Sequence, residues 1–236
     1  MNPLSESLRF YARNFESLLI ISLLTVFPFL LMHNFIMNYI ELVTMFTGLK
    51  IVSGFSNMFL LLLIMTVIQV PFAKLVQCEQ DGQERPLAIA LRTFAEHGFS
   101  IFVFGLVYVI AVTTGMTLFL IPGIIILIWL YLTPYFMVMK QRSPWKVWRM
   151  AMEMGKKHFF QILGLLILVS VIQSLVSMLG MFSVMVITTS YGALFFTQLL
   201  LNVIVFPFIA VLFSMYVQKW SNEAETMEGA EEYASS

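Results

Sequence analysis

The sequence predicts an all-α polytopic membrane protein with six transmembrane helices. Of its 236 residues, 60% are hydrophobic and only 11% are charged, whereas a soluble domain carries about 25% charged residues. Six apolar runs, several of them longer than the roughly 18 residues that indicate a span, divide the chain. The charges cluster between these runs. A soluble helical bundle would need amphipathic helices, and these runs have no polar face.

The chain opens with an amphipathic helix, expected over residues 3–16. Its apolar face is formed by Leu4, Leu8, Tyr11 and Phe15. Such a helix rests in the membrane interface with its apolar side down. Pro28 predicts a kink in the first span, because proline removes a helical hydrogen bond. The spans are expected at residues 18–37, 55–76, 99–120, 124–139, 159–182 and 194–217.

Polar or turn-forming segments separate the predicted spans. Residues 38–54 and 183–193 are expected to form outer loops, and Pro122-Gly123 a tight turn before the fourth span. Separate surface helices are expected from Pro86 and over residues 144–158. The domain expected over residues 1–218 then gives way to an acidic tail, residues 219–236, which is expected to be disordered because it lacks periodicity.

These elements recur as three helix-hairpin units, each preceded by an amphipathic helix. The units cover residues 3–76, 86–139 and 144–218. Each begins with a proline and contains, in its second span, a proline followed by an aromatic residue. Any amphipathic helix produces similar spacing, so chance spacing stands as the alternative. A true repeat predicts pseudo-symmetric packing of the hairpins.

The distribution of basic residues predicts the orientation. Twelve of the 13 Lys and Arg fall on the side that holds the N-terminal segment, the second and fourth connections and the tail. Lys50 alone falls on the other side. Because basic loops stay in the cytoplasm, both termini are predicted to be cytoplasmic.

The fifth and sixth spans carry polar residues that form a candidate pocket. Its members are Ser170, Gln173, Ser177, Gln198 and Asn202. One interpretation is close helix packing with inter-helix hydrogen bonds of roughly 0.6 kcal/mol each. The other is a polar-lined pocket for a small neutral or amphiphilic molecule.

The third surface helix carries a candidate contact surface of four cations. They are Lys146, Arg149, Lys156 and Lys157. Near a membrane surface each charge attracts anionic lipid headgroups by about 1 kcal/mol. A membrane-protein partner is the other candidate ligand, and a third interpretation is that these charges only fix topology.

No motif in the sequence indicates catalysis. It has no G-x-S-x-G nucleophile elbow, no Gly-rich phosphate loop and no HExxH spacing among His33, His97 and His158. We therefore expect no enzyme activity, no cofactor and no metal site. Nucleic-acid binding is not expected either, because no soluble domain carries the basic patch.

Three short motifs carry a resemblance to a known family. They are Leu120-Ile121-Pro122-Gly123, Thr133-Pro134-Tyr135, and Ser143-Pro144 followed by Arg149. Over residues 118–164 the chain resembles the six-span membrane domain of bacterial glycerophosphodiester phosphodiesterases and its stand-alone relatives. The resemblance implies a bacterial cytoplasmic-membrane protein with this helix-hairpin plan.

The resemblance does not extend to phosphodiesterase activity. In that family the activity belongs to a separate barrel, which these 236 residues do not contain. Lys140-Gln141 also replaces an acidic residue that the family often has after the fourth span. We therefore expect a non-catalytic accessory or scaffold protein of an envelope or transport complex. The alternative is a transporter or channel for a small neutral or amphiphilic molecule.

Overall fold

The structure is a computed structural model that describes residues 3–235, and all elements in this range are α-helices. The first five helices are α1 (Pro3–Arg13), α2 (Phe15–Leu24), α3 (Val26–Thr47), α4 (Lys50–Gln80) and α5 (Pro86–Leu118). The next five are α6 (Leu120–Tyr131), α7 (Thr133–Lys140), α8 (Pro144–Lys157), α9 (Phe159–Ile187) and α10 (Tyr191–Ser235).

The predicted all-α, six-span class is confirmed. Six helical segments are long and apolar enough to cross a membrane. They are Phe15–Thr47, Lys50–Gln80, Pro86–Leu118, Leu120–Lys140, Phe159–Ile187 and Tyr191–Ala224. The first combines α2 with α3, and the fourth combines α6 with α7.

Two of these spans are interrupted near a proline. The first breaks at Thr25, three residues before Pro28. The fourth breaks at Leu132, two residues before Pro134. A proline ring clashes with the carbonyl four residues earlier, so the distortion falls before the proline itself. Pro71, by contrast, lies within the uninterrupted α4.

The two connections predicted as outer loops are much shorter than expected. Residues 38–54 are not a loop, because α3 continues to Thr47 and α4 begins at Lys50. Gly48 ends α3 in the left-handed conformation with φ of 73°, which glycine adopts without steric cost. The connection between α9 and α10 is likewise reduced to residues 188–190.

The predicted Pro122-Gly123 turn is wrong by three residues. The chain reverses at Phe119, which is extended, and α6 has already begun at Leu120. Gly123 instead allows α5 and α6 to approach closely. A Cβ placed on it would lie 2.6 Å from the backbone nitrogen of Met116.

The second surface helix and its span form one helix. The sequence predicts a boundary near residue 98, but α5 runs unbroken for 33 residues. Gly98 has no atom within 4 Å of an added Cβ. A single glycine costs a helix only about 1 kcal/mol, which is too little to break it here.

The acidic tail also differs from the expectation of disorder. α10 continues as helix to Ser235, and Ser236 lies outside the described residues. Alanine and glutamate are strong helix formers. The helix can therefore propagate from the packed part of α10 into the tail.

Side chains from distant parts of the sequence meet at one end of the bundle. Arg13 lies 3.8 Å from Glu79 in an ion pair. Gln80 donates a hydrogen bond to the sulfur of Met215 at 3.3 Å. The rings of His158 and Trp220 stack with centroids 4.5 Å apart. We call this the basic end; it holds α1, the last turns of α4, the α4–α5 connection, the first turns of α5, the end of α7 with the α7–α8 connection, α8 and the middle of α10.

Candidate functional site

The polar residues of the candidate pocket form two hydrogen-bonded pairs between α9 and α10. The Gln173 amide donates to Asn202 Oδ1 at 3.1 Å. One turn further toward the α9–α10 connection, the Gln198 amide donates to Ser177 Oγ at 3.2 Å. All four side chains are half-buried. This geometry is the one expected for helix packing, and the pocket interpretation stays a prediction.

Ser170 lies apart from these pairs. It is exposed and lines a groove of about 500 Å³ between α6 and α9. The groove is otherwise lined by apolar side chains and Ser174. α9 is the least buried of the six spans. The groove therefore lies beside a helix whose surface is mostly not covered by the other helices.

The basic surface helix α8 is fastened to the bundle by its opposite face. That face buries Pro144, Val147, Ala151, Met154 and Gly155. A Cβ added to Gly155 would lie 2.8 Å from both Cα and O of Trp129 in α6. The two backbones are therefore too close for any residue other than glycine without movement.

The four predicted contact cations, Lys146, Arg149, Lys156 and Lys157, are all exposed on α8. Among the described residues, no carboxylate forms an ion pair with any of them. The Arg149 guanidinium instead lies 5.4 Å from the Trp148 ring centroid, and the Lys156 ammonium 4.6 Å from that of Trp129. Aromatic faces attract cations without neutralising them. The surface therefore keeps its positive charge.

A buried polar cluster inside the bundle was not singled out by sequence reasoning. The Gln69 amide nitrogen of α4 donates to the Tyr131 hydroxyl of α6 at 3.1 Å. The ring of Tyr131 packs against Phe213 of α10 with centroids 4.8 Å apart. Gln69 Oε1 and Thr133 Oγ1 are buried without a hydrogen-bond partner among the described residues. The signal for this cluster in the sequence is Gln69, a polar residue within the second predicted span.

The three histidines lie in different environments. His33 Nε2 is 3.1 Å from Asn57 Oδ1 between α3 and α4, and His158 Nδ1 is 2.8 Å from Gln161 Oε1. His97 lines a cavity at the basic end. Among the side chains that the structure describes, no group of three or more His, Cys, Asp or Glu residues is arranged to hold a metal ion.

The fold and these sites define a multi-pass α-helical membrane protein with a basic surface helix at one end. No family model, curated protein or solved structure matches the chain. The resemblance over residues 118–164 therefore stays a prediction.

Proposed function

We propose that this chain is a non-catalytic accessory or scaffold protein of an envelope or transport complex in the bacterial cytoplasmic membrane. In this proposal α8 holds anionic lipid headgroups at the cytoplasmic surface. The observation that carries it is the set of four exposed cations without carboxylate partners. The helix that bears them is fixed to α6 and α7 by its buried face.

The physical basis is attraction between fixed cations and a negatively charged leaflet. Each cation near such a surface contributes about 1 kcal/mol. Trp145 is 47% exposed beside them, and tryptophan favours the level of the headgroups. Four charges on one rigid helix would therefore enrich anionic lipids around this end of the bundle.

The proposed orientation follows from the charge asymmetry. Twelve of the 13 Lys and Arg belong to segments of the basic end, and Lys50 to the opposite end. Basic segments are retained in the cytoplasm. We infer that both termini are cytoplasmic and that α8 faces the leaflet richer in anionic lipid.

Lipid retention after purification tests the role of α8. The variant K146Q/R149Q/K156Q/K157Q is compared with R9Q/R85Q/R142Q/K219Q, which removes the same charge from other exposed positions at the basic end. Each protein is purified in detergent, mixed with phosphatidylglycerol and phosphatidylethanolamine, and examined by native mass spectrometry. We expect only the α8 variant to lose its preference for phosphatidylglycerol. Equal retention by wild type and both variants, or equal loss in both variants, would contradict a specific α8 surface.

The groove between α6 and α9 supports a second candidate function. Its apolar walls with Ser170 and Ser174 suit an amphiphilic molecule, so the chain could act as a transporter or channel for such a cargo. The pairs Gln173–Asn202 and Gln198–Ser177 lie outside this groove, between α9 and α10. A cargo that also passes between α9 and α10 would have to replace the partners in these hydrogen bonds. If Q173L/N202L abolishes function in cells at normal protein levels while the α8 variant does not, the transporter hypothesis is favoured over the scaffold.

A further inference from the structure

A cavity of about 310 Å³ lies at the basic end, between α4, α5 and the end of α7. Its polar lining consists of Lys74, Arg92, Thr93, Glu96, His97 and Gln141. The volume falls at the lower limit of small-molecule pockets, about 300–1,000 Å³. None of these residues belongs to α8.

Lys74 is the unusual member of this lining. It is a lysine that is only 7% exposed, near the inner end of a membrane-spanning helix. Its ammonium donates one hydrogen bond, to the neutral Gln77 Oε1 at 3.0 Å. An ammonium has three donors, and no described carboxylate pairs with this one. Burying an unpaired charge is costly, so the site gains from an anion.

The remaining charges at the cavity cancel each other. Arg92 Nε lies 2.7 Å from Glu96 Oε1, and both side chains are exposed at the rim, by 80% and 52%. Apart from His97, the lining therefore has a net charge of one positive unit, from Lys74. Thr93 and Gln141 add a hydroxyl and an amide that can donate hydrogen bonds.

We propose that this cavity binds the phosphate group of an anionic ligand, with Lys74 as its central contact. A phosphodiester carries one negative charge and accepts several hydrogen bonds, which matches the charge and the neutral donors of the lining. Basic pockets between membrane-spanning helices hold phosphate headgroups in this way. The phosphate belongs either to a lipid headgroup or to a soluble phosphate ester.

Binding by purified protein tests the site and separates the two sources. The probes are dihexanoyl phosphatidylglycerol and its deacylated headgroup, glycerophosphoglycerol, titrated calorimetrically in dodecyl maltoside, which has no phosphate. We expect K74Q to bind at least about tenfold more weakly than wild type, because a charge-assisted contact is lost. K50Q removes a cation at the opposite end and should bind as wild type does. Binding of both probes identifies the phosphate group alone as the ligand, whereas binding of only the lipid identifies a membrane headgroup.

A variant that is expected to bind more tightly distinguishes a true binding site from an effect of misfolding. E96Q removes the carboxylate that competes for cations at the rim, so it should bind the probes more tightly, by about fivefold for one charge. This result would stand even if K74Q failed to fold, since misfolding does not increase affinity. The site is refuted if wild type binds neither probe, if K74Q binds like wild type, or if E96Q binds more weakly. Its refutation would leave the α8 proposal intact, because the two sites share no residue.

Discussion

Replacing Gly155 with alanine tests whether close backbone contact holds α8 on the bundle. The new Cβ would lie 2.8 Å from Cα and O of Trp129 and 3.0 Å from the carbonyl oxygen of Ile128. An ordinary contact is at least 3.4 Å, and all three obstructing atoms are backbone atoms that no rotamer change can move. α8 must therefore shift away from α6. Overpacking of this kind costs about 1–3 kcal/mol, partly offset by the roughly 1 kcal/mol that alanine gains over glycine in a helix.

Gly98 provides the matched control. It is also helical, but an added Cβ would meet no atom within 4 Å, so G98A should show only the gain in helix propensity. One kcal/mol shifts the unfolding temperature of a chain this long by about 2–4 °C. Heating in detergent followed by size-exclusion chromatography should therefore rank the proteins G98A, wild type, G155A, from most to least stable. A G155A protein as stable as G98A would refute the close packing of α8 on α6.

Three further predictions follow from other contacts. A double-mutant cycle with Q173L and N202L should give a coupling free energy of about 0.6 kcal/mol in detergent unfolding measurements, because the two amides are hydrogen-bonded; zero coupling would mean that the bond does not form. Burial raises the pKa of Tyr11 above its usual value near 10. The neutral Tyr11 hydroxyl therefore contributes its full stabilisation below the unfolded-state pKa, and this stabilisation declines as the pH rises through the folded-state pKa. The Y11F variant should lack this decline in thermal unfolding temperature above about pH 10. Cys78 is fully buried and should react with an impermeant maleimide only after denaturation, whereas E84C should react in opened but not in intact cells if the basic end is cytoplasmic.

The sequence determined the number of spans but not where the helices end. Six apolar runs must be helical in a bilayer, because backbone groups there find partners only within a helix. Their ends are decided by single residues and by packing. The left-handed Gly48 ends α3 ten residues beyond the predicted end of the first span. The extended Phe119 ends α5 three residues before Pro122, where the sequence predicts the turn.

The candidate sites were predictable to different degrees. The basic surface of α8 could be found because four cations on one short helix are visible in sequence. Its attachment through Gly155 could not, since that depends on the path of α6. The Lys74 cavity is not predictable in this way, because the sequence shows Lys74 only as a single cation near the end of the second predicted span. Only the structure shows that α5 and α7 bury it.

The junctions between surface helices and spans bear on the predicted threefold repeat. Asn14 and His158 break the helix with nearly the same backbone conformation, φ and ψ of −108° and 22° against −109° and 25°. Each is followed directly by a phenylalanine. His97 stands as far from Pro86 as Asn14 does from Pro3, yet α5 continues through it. The distance from the first proline to the junction is 11 residues in the first two units and 14 in the third, and the threefold repeat stays a prediction.

Continuity of α5 also explains why the Lys74 cavity forms where the second unit meets the first. Because α5 does not bend at His97, its first turns extend the span instead of folding away from it. Ile89, Arg92, Thr93, Glu96 and His97 consequently line the cavity beside Lys74 of α4. A bend like those at Asn14 and His158 would redirect these side chains. The departure of the second unit from the other two is therefore what brings charged groups of α5 to the buried lysine.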